Sequence, residues 1–127
     1  MEENKENVFK NDFEDSQFLE EEIKTIKEKY KNVYLYHLAF KDDDGLIQRG
    51  QVIFRKPTIA DVEEYRNDVD RGKLIIASRN LFYKLVVSSN RKEVMDFIGD
   101  YVNVYLTFIE RIADVLGGDC EGSKKKL

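Results

Sequence analysis

Apolar residues recur along this chain with two periods, and the period changes where turn residues fall. From Ser16 to Tyr30, the residues Leu19, Ile23, Ile26 and Tyr30 are spaced four, three and four apart, which predicts an amphipathic helix. Asp15 or Ser16 is placed to cap its start. Glu20, Glu21, Lys24, Lys27 and Glu28 form its solvated face, acids leading and lysines following, as the helix dipole favours. Val33 to Phe40 is β-branched and aromatic and predicts a strand. Asp42-Asp43-Asp44-Gly45 supplies a turn, and Gln48 to Lys56 the returning strand of a β-hairpin. The first strand is apolar on both faces, with Val33, Leu35, His37 and Ala39 on one and Tyr34, Tyr36, Leu38 and Phe40 on the other. Such a strand must be covered on both sides or lie at an interface.

Pro57-Thr58 ends the sheet. Thr58 with Asp61 three residues later matches a capping box for a helix from Ile59 to about Val69, burying Ile59, Val62, Tyr65 and Val69. Asp70-Arg71-Gly72 breaks it, and a largely apolar helix runs from Lys73 to Val87. Asn90 with Glu93 marks the start of a short helix carrying Val94, Phe97 and Ile98, which Gly99-Asp100 interrupts. The last helix runs from Tyr101 to Leu116 and stops at Gly117-Gly118. The fold class expected is α+β: an N-terminal helix, a β-hairpin, then a cluster of three to four α-helices. The expected division is a flexible acidic arm over 1–15, a single domain over 16–118 and a flexible tail over 119–127. A short docked helix carrying Phe9 and Phe13 is the alternative for the arm.

In the last helix the polar residues Asp100, Asn103, Thr107, Glu110, Arg111 and Asp114 form one narrow stripe, and nearly everything else is apolar. A helix that covers one side of a core needs about a 100° stripe, so this wider face implies contact on two sides, within the fold or with another chain. The aromatic line Tyr101, Tyr105 and Phe108 follows i, i+4, i+7 spacing. Together with Tyr34 and Tyr36 of the two-faced strand, it serves either as core or as a partner surface.

Charge is uneven. Residues 1–31 hold ten acids and six bases, which accounts for the whole net charge of −4, and the remainder is neutral. A neutral body lacks the basic footprint that phosphate backbones require, so nucleic acid is not an expected partner. Cys120 is the sole cysteine, which rules out an intramolecular disulfide and makes a reducing cytoplasm the expected compartment. The N-terminus is acidic without an apolar run, so no signal peptide is expected. No apolar stretch approaches the roughly 18 residues of a membrane span.

Little in the chain points to catalysis. His37 is the only histidine and sits mid-strand, which fits a hydrogen-bonded strand residue better than a general base or a ligand. A zinc set would need further histidines or cysteines, and Cys120 lies in a Gly- and Lys-rich tail. The acidic run 42–44 lacks the alternating ligands and late glutamate of a calcium loop. No phosphate-binding glycine loop is present, and Glu63-Glu64 or Asp68 with Asp70 read as solvated charges. No metal, no cofactor and no enzymatic activity are expected.

From Gln51 onward the chain resembles a family of small tailed-phage or prophage proteins, the tail assembly chaperones encoded near the tape-measure gene. The motifs that carry the resemblance are Val52-Ile53-Phe54-Arg55-Lys56-Pro57-Thr58, the acidic helix Ala60-Asp61-Val62-Glu63-Glu64-Tyr65, the helix with Ala77-Ser78-Arg79-Asn80-Leu81 leading to Leu85-Val86-Val87, and the end at Val115-Leu116-Gly117. They are short and structural and cover about residues 48–118. The resemblance implies a non-enzymatic protein of the bacterial host cytoplasm that binds the helical tape-measure protein while the tail tube assembles. Broad apolar helix faces suit that task, with Tyr34, Tyr36, Tyr101, Tyr105 and Phe108 as the candidate partner-binding residues. The alternative is a structural virion component, a tail or head-completion protein, that forms a homo-oligomer through the same faces.

Overall fold

A computed structural model describes residues 18–116. The predicted arm, the tail with Cys120 and the Gly117-Gly118 stop lie outside the described residues. The elements are α1 (Glu20–Lys29), β1 (Val33–Lys41), β2 (Ile47–Arg55), α2 (Ile59–Asp70), α3 (Leu74–Leu85), α4 (Arg91–Ile98) and α5 (Asn103–Val115). The fold is α+β, as the periodicity predicts.

β1 and β2 form an antiparallel hairpin whose register runs from Val33 opposite Arg55 to Lys41 opposite Ile47. The turn is closed by Asp42. Its Oδ1 accepts from the Asp44 and Leu46 amides, each at 2.9 Å, and its Oδ2 accepts from Gln48 Nε2 at 2.8 Å. The Gln48 amide and the Leu46 N–H hold its carboxyl below the usual carboxylate range. Gly45 takes φ 82°, a conformation that L side chains rarely adopt.

Both faces of the hairpin are covered, except that Ala39 at the far end of the reverse face is exposed, which meets the two-faced pattern of β1 over most of its length. Tyr34, Tyr36, Leu38 and Phe40 join Val52 and Phe54 in the main core, beneath α3, α4 and α5. On the reverse face Val33, Leu35 and Ile53 pack with Ile23, Ile26 and Tyr30 of α1 and with Phe18. The outer edge of β2 is taken by the 86–90 segment. Val87 N–H donates to Ile53 C=O at 2.8 Å, the Ile53 N–H donates to Ser88 Oγ at 3.1 Å, and Asn90 Nδ2 donates to Gln51 C=O at 2.9 Å. Asn90 also accepts from Ser88 Oγ through Oδ1. Its side chain therefore does not cap α4, the role its position suggests, but fastens the helix start to the sheet.

Two expected core residues are exposed. Leu19 sits in extended backbone one residue before α1, off the helical period, and Phe18 is buried in its place. Ile59 opens α2 on the wrong side. That helix meets α3 along Asp61, Tyr65 and Asp68, facing Ala77, Leu81 and Lys84. Ile59 lies two residues from Asp61, which is roughly 200° around the helix.

Asp61 is the polar anchor of this helix pair. It completes the predicted capping box, with its N–H donating to Thr58 Oγ1 at 3.2 Å and its Oδ2 accepting from the Thr58 N–H at 2.9 Å. The same carboxylate pairs with Arg55 at 2.8 Å and lies 3.9 Å from Lys84, which is itself ion-paired with Glu64. Burial pushes the Asp61 carboxyl up, but the Arg55 guanidinium and the Thr58 donors more than offset this and hold it below the usual carboxylate range. Its contribution to stability is therefore complete above the ordinary carboxylate pKa and is lost as pH falls through the lowered value. Asp61→Asn is expected to lower unfolding free energy by about 1–2 kcal/mol at neutral pH. Urea titrations of wild type and variant should converge as the pH drops below about 4. A gap that persists undiminished in acid would show that the carboxylate charge is not what stabilises the site.

Gly99 ends α4 at φ 54°, ψ −120°. A Cβ there would meet nothing closer than the Asp96 carbonyl at 3.7 Å, so the need for glycine is conformational rather than steric. Gly99→Ala is expected to destabilise by about 1–2 kcal/mol, read as a lower denaturation midpoint at unchanged m.

Candidate partner-binding groove

The wide apolar faces seen in the sequence are used differently by the two helices that carry them. On α5 the core takes Val104, Tyr105, Phe108 and Ile112, with Tyr101, Ile109 and Val115 packed against it. Asn103, Thr107, Glu110, Arg111 and Asp114 are exposed, as the narrow stripe predicts. The second side of contact is internal, because α5 meets both β1 and α3.

Of the five residues predicted to bind a partner, Phe108 is 0% and Tyr105 2% exposed. Phe108 packs edge-on against Tyr36, Phe54 and Phe82, so its ring belongs to the core. Tyr34 stacks on Phe54 at 5.3 Å and is half-buried. Tyr36 is also half-buried, and burial pushes its phenol up to about 12, with Arg111 pulling it down and Glu110 adding to the rise. Tyr101 packs on Phe40 at 4.7 Å, and its Oη accepts from the Asp43 N–H at 3.0 Å, tying the hairpin turn to the start of α5. The structure thus brings Tyr34, Tyr36 and Phe108 together around Phe54, with Tyr101 at one end of the same layer and Tyr105 on its α3 side.

The apolar surface left outside lies on α3. Ala77, Ser78, Leu81, Phe82 and Leu85 face the core, whereas Leu74, Ile75 and Ile76 are 45%, 46% and 50% exposed. In the sequence this helix, like the last one, has an apolar face too wide for one side of a core, but these three residues are not singled out by it. Three consecutive apolar residues on a helix span roughly 200°, more than one packed face can cover. Tyr83, one heptad beyond Ile76, is exposed on the same side.

Two clefts adjoin this face of α3 and meet at Tyr83, Met95 and Asp96. One, of about 650 Å³, runs toward Tyr30, Ser89, Arg91 and Lys92. The other, of about 490 Å³, runs toward Arg79, Asn80, Asp100 and Tyr105. Together they make an open groove between α3 and α4. Tyr83 is fixed in its wall, because the Arg91 guanidinium lies 4.1 Å from the ring centroid. Arg91 also donates to the carbonyls of Tyr83 and Val86, at 3.3 and 3.4 Å, satisfying acceptors at the C-terminal end of α3. Tyr105 closes the floor of the second cleft, and burial raises its phenol, with Arg79 opposing and Asp100 and Asp96 adding to the shift.

The groove therefore combines aromatic side chains, a deformable methionine and charges of both signs, with Arg91 and Lys92 in one cleft, Arg79 and Asp100 in the other and Asp96 between them. It suits an apolar or amphipathic helix better than a small molecule that needs enclosure. Among the described residues no group of His, Cys, Asp or Glu is arranged to hold a metal ion, and no helix is long and apolar enough to cross a membrane. His37 lies mid-strand opposite Gln51, on the sheet face that carries α1.

A family model described as a domain of unknown function (DUF6848) matches residues 26–125. A solved structure of an uncharacterised protein from Bacillus stearothermophilus is similar, with a TM-score of 0.59 at 16% identity over 80% of this chain and 97% of that one. At that identity the likeness shows the fold alone. No curated protein matches the chain.

Because Phe108 is enclosed by three aromatic rings, Phe108→Ala is expected to cost about 3–5 kcal/mol and to lower the thermal midpoint sharply. Circular dichroism melts check this. A variant that melts like wild type would place the ring outside the core.

Proposed function

The chain belongs to the DUF6848 family, and we propose that it is a non-enzymatic tail assembly chaperone of the tailed-phage or prophage type, holding an apolar helix of the tape-measure protein in the groove beside α3. The observation that carries the reading is exposed Ile76 in line with exposed Tyr83, one heptad on along α3, with exposed Ile75 beside them. The motif resemblance over residues 48–118 supplies the identity of the partner.

The mechanism is sequestration. A captured helix lays its apolar face along α3, with anchors at i, i+3 or i+4 and i+7 meeting Ile76, Met95 and Tyr83. Covering a large aliphatic side chain contributes about 1.5–3 kcal/mol, so a few anchors give useful yet reversible affinity. Release needs no chemistry, since assembling tube subunits compete for the same helix face.

The test is co-expression with helical fragments of the tape-measure protein from the same genome, followed by size-exclusion chromatography with light scattering. Wild type should form a complex that keeps the fragment soluble. The double variant Ile76→Asp, Tyr83→Ser should lose it by at least tenfold in affinity while melting within a few degrees of wild type, because both positions are exposed. A wild type that binds no fragment, or a double variant that binds as well as wild type, overturns the proposal.

A further inference from the structure

The second cleft beside α3 carries a charge arrangement that the fold does not use. Asp96 lies in the last turn of α4 and Asp100 just beyond Gly99, and both line the cleft with Arg79 of α3. The C-terminal end of a helix is the negative end of its dipole and favours cations, yet the last turn of α4 holds no basic residue. Two carboxylates at that end therefore oppose the dipole. Among the described residues, no ion pair reaches Asp96, Asp100 or Arg79, so the cleft holds two negative charges against one positive.

Tyr105 adds a second and independent sign. Its ring packs edge-on against Phe82 at 5.4 Å, and only 2% of the residue is exposed. It forms the floor of the cleft, and its phenol feels the charges of Arg79, Asp100 and Asp96, so the hydroxyl is the end that faces them. Among the described residues no hydrogen bond reaches that hydroxyl, and burial, not a hydrogen bond, is the first cause of the upward shift of the phenol. A tyrosine buried to that degree ordinarily has a partner for its O–H.

On the reading of helix capture at α3, we propose that this cleft receives the guanidinium of an arginine carried by the captured helix, which donates to the Asp96 and Asp100 carboxylates and to Tyr105 Oη. Arginine fits better than lysine. Its planar five-donor fork serves two carboxylates and a phenol oxygen at once, whereas an ammonium is a compact, strongly hydrated point charge. Its methylene stem suits Met95 and the Tyr83 ring, which line the same cleft. Those two residues also meet apolar anchors of the captured helix, so the arginine sits one turn from an anchor, at i+3 or i+4.

The test uses the full chain and the tape-measure fragment that co-purifies with it. Each arginine of the fragment is changed to glutamine in turn, and affinity is measured by calorimetry. One replacement should weaken binding about tenfold against wild type and make no difference against the double variant Asp96→Asn, Asp100→Asn. That double variant should bind the unaltered fragment about tenfold more weakly while melting at or above wild type, because its carboxylates oppose the α4 dipole. Tyr105→Phe should weaken binding about threefold and melt no lower than wild type, since the hydroxyl it removes has no hydrogen-bond partner among the described residues. A merely structural role for these groups would instead lower the melting temperature. A chain that captures no fragment overturns helix capture and this inference with it. A captured fragment without arginine, one indifferent to every replacement, or a Tyr105→Phe variant that melts several degrees lower overturns this inference alone.

Discussion

Phe108 makes three edge-to-face contacts at once, with Tyr36 at 5.2 Å, Phe54 at 5.2 Å and Phe82 at 4.8 Å. Those partners belong to β1, β2 and α3, so one ring from α5 joins four elements. A two-stranded sheet is marginal by itself, and it gains a stable face only when such a layer covers it. The layer also fixes the tilt of α3, since Phe82 must meet both Phe108 and Tyr105. Everything on the far side of α3 inherits its position from that contact.

The groove is a consequence of this division. Core packing uses Ala77, Ser78, Leu81, Phe82 and Leu85, and Asp61 ties α2 to the end of β2 through Arg55 and to the flank of α3 through Lys84. What remains is a face with apolar residues at its N-terminal end and Tyr83 near its C-terminal end. The 86–90 segment then turns α4 back beside it, because Ser88 and Asn90 are tied to the backbone of β2. Polar side chains satisfying strand groups thus decide where the groove wall stands, and Arg91 locks that wall by covering Tyr83. The same ties close the outer edge of β2, so the groove wall and the cover of that edge arise from one set of hydrogen bonds.

The sequence by itself determined the elements and their order. Period-two and helical spacings, the Thr58–Asp61 capping box, the acidic turn at 42–45 and the break at Gly99 are local signals. Each acts within a few residues, so each could be read directly. The two-sided cover of β1 was legible for the same reason, since strand alternation assigns faces without reference to other elements. The width of the α5 face also showed that contact on two sides was needed.

The tertiary structure alone decided which of two apolar sides is core and which is surface. Tyr105 and Phe108 went inward and Ile75 and Ile76 stayed out, although hydrophobicity gives them similar claims. That choice depends on where the sheet and α5 lie around each helix axis, which is set by contacts distant in the chain. Ile59 shows the same limit, as α2 turns Asp61 rather than its apolar residue toward α3 because the carboxylate has Arg55 and Thr58 to satisfy it. The part played by Asn90 was likewise hidden, because an asparagine that caps a helix and one that binds a strand carbonyl look identical until the strand is placed beside it.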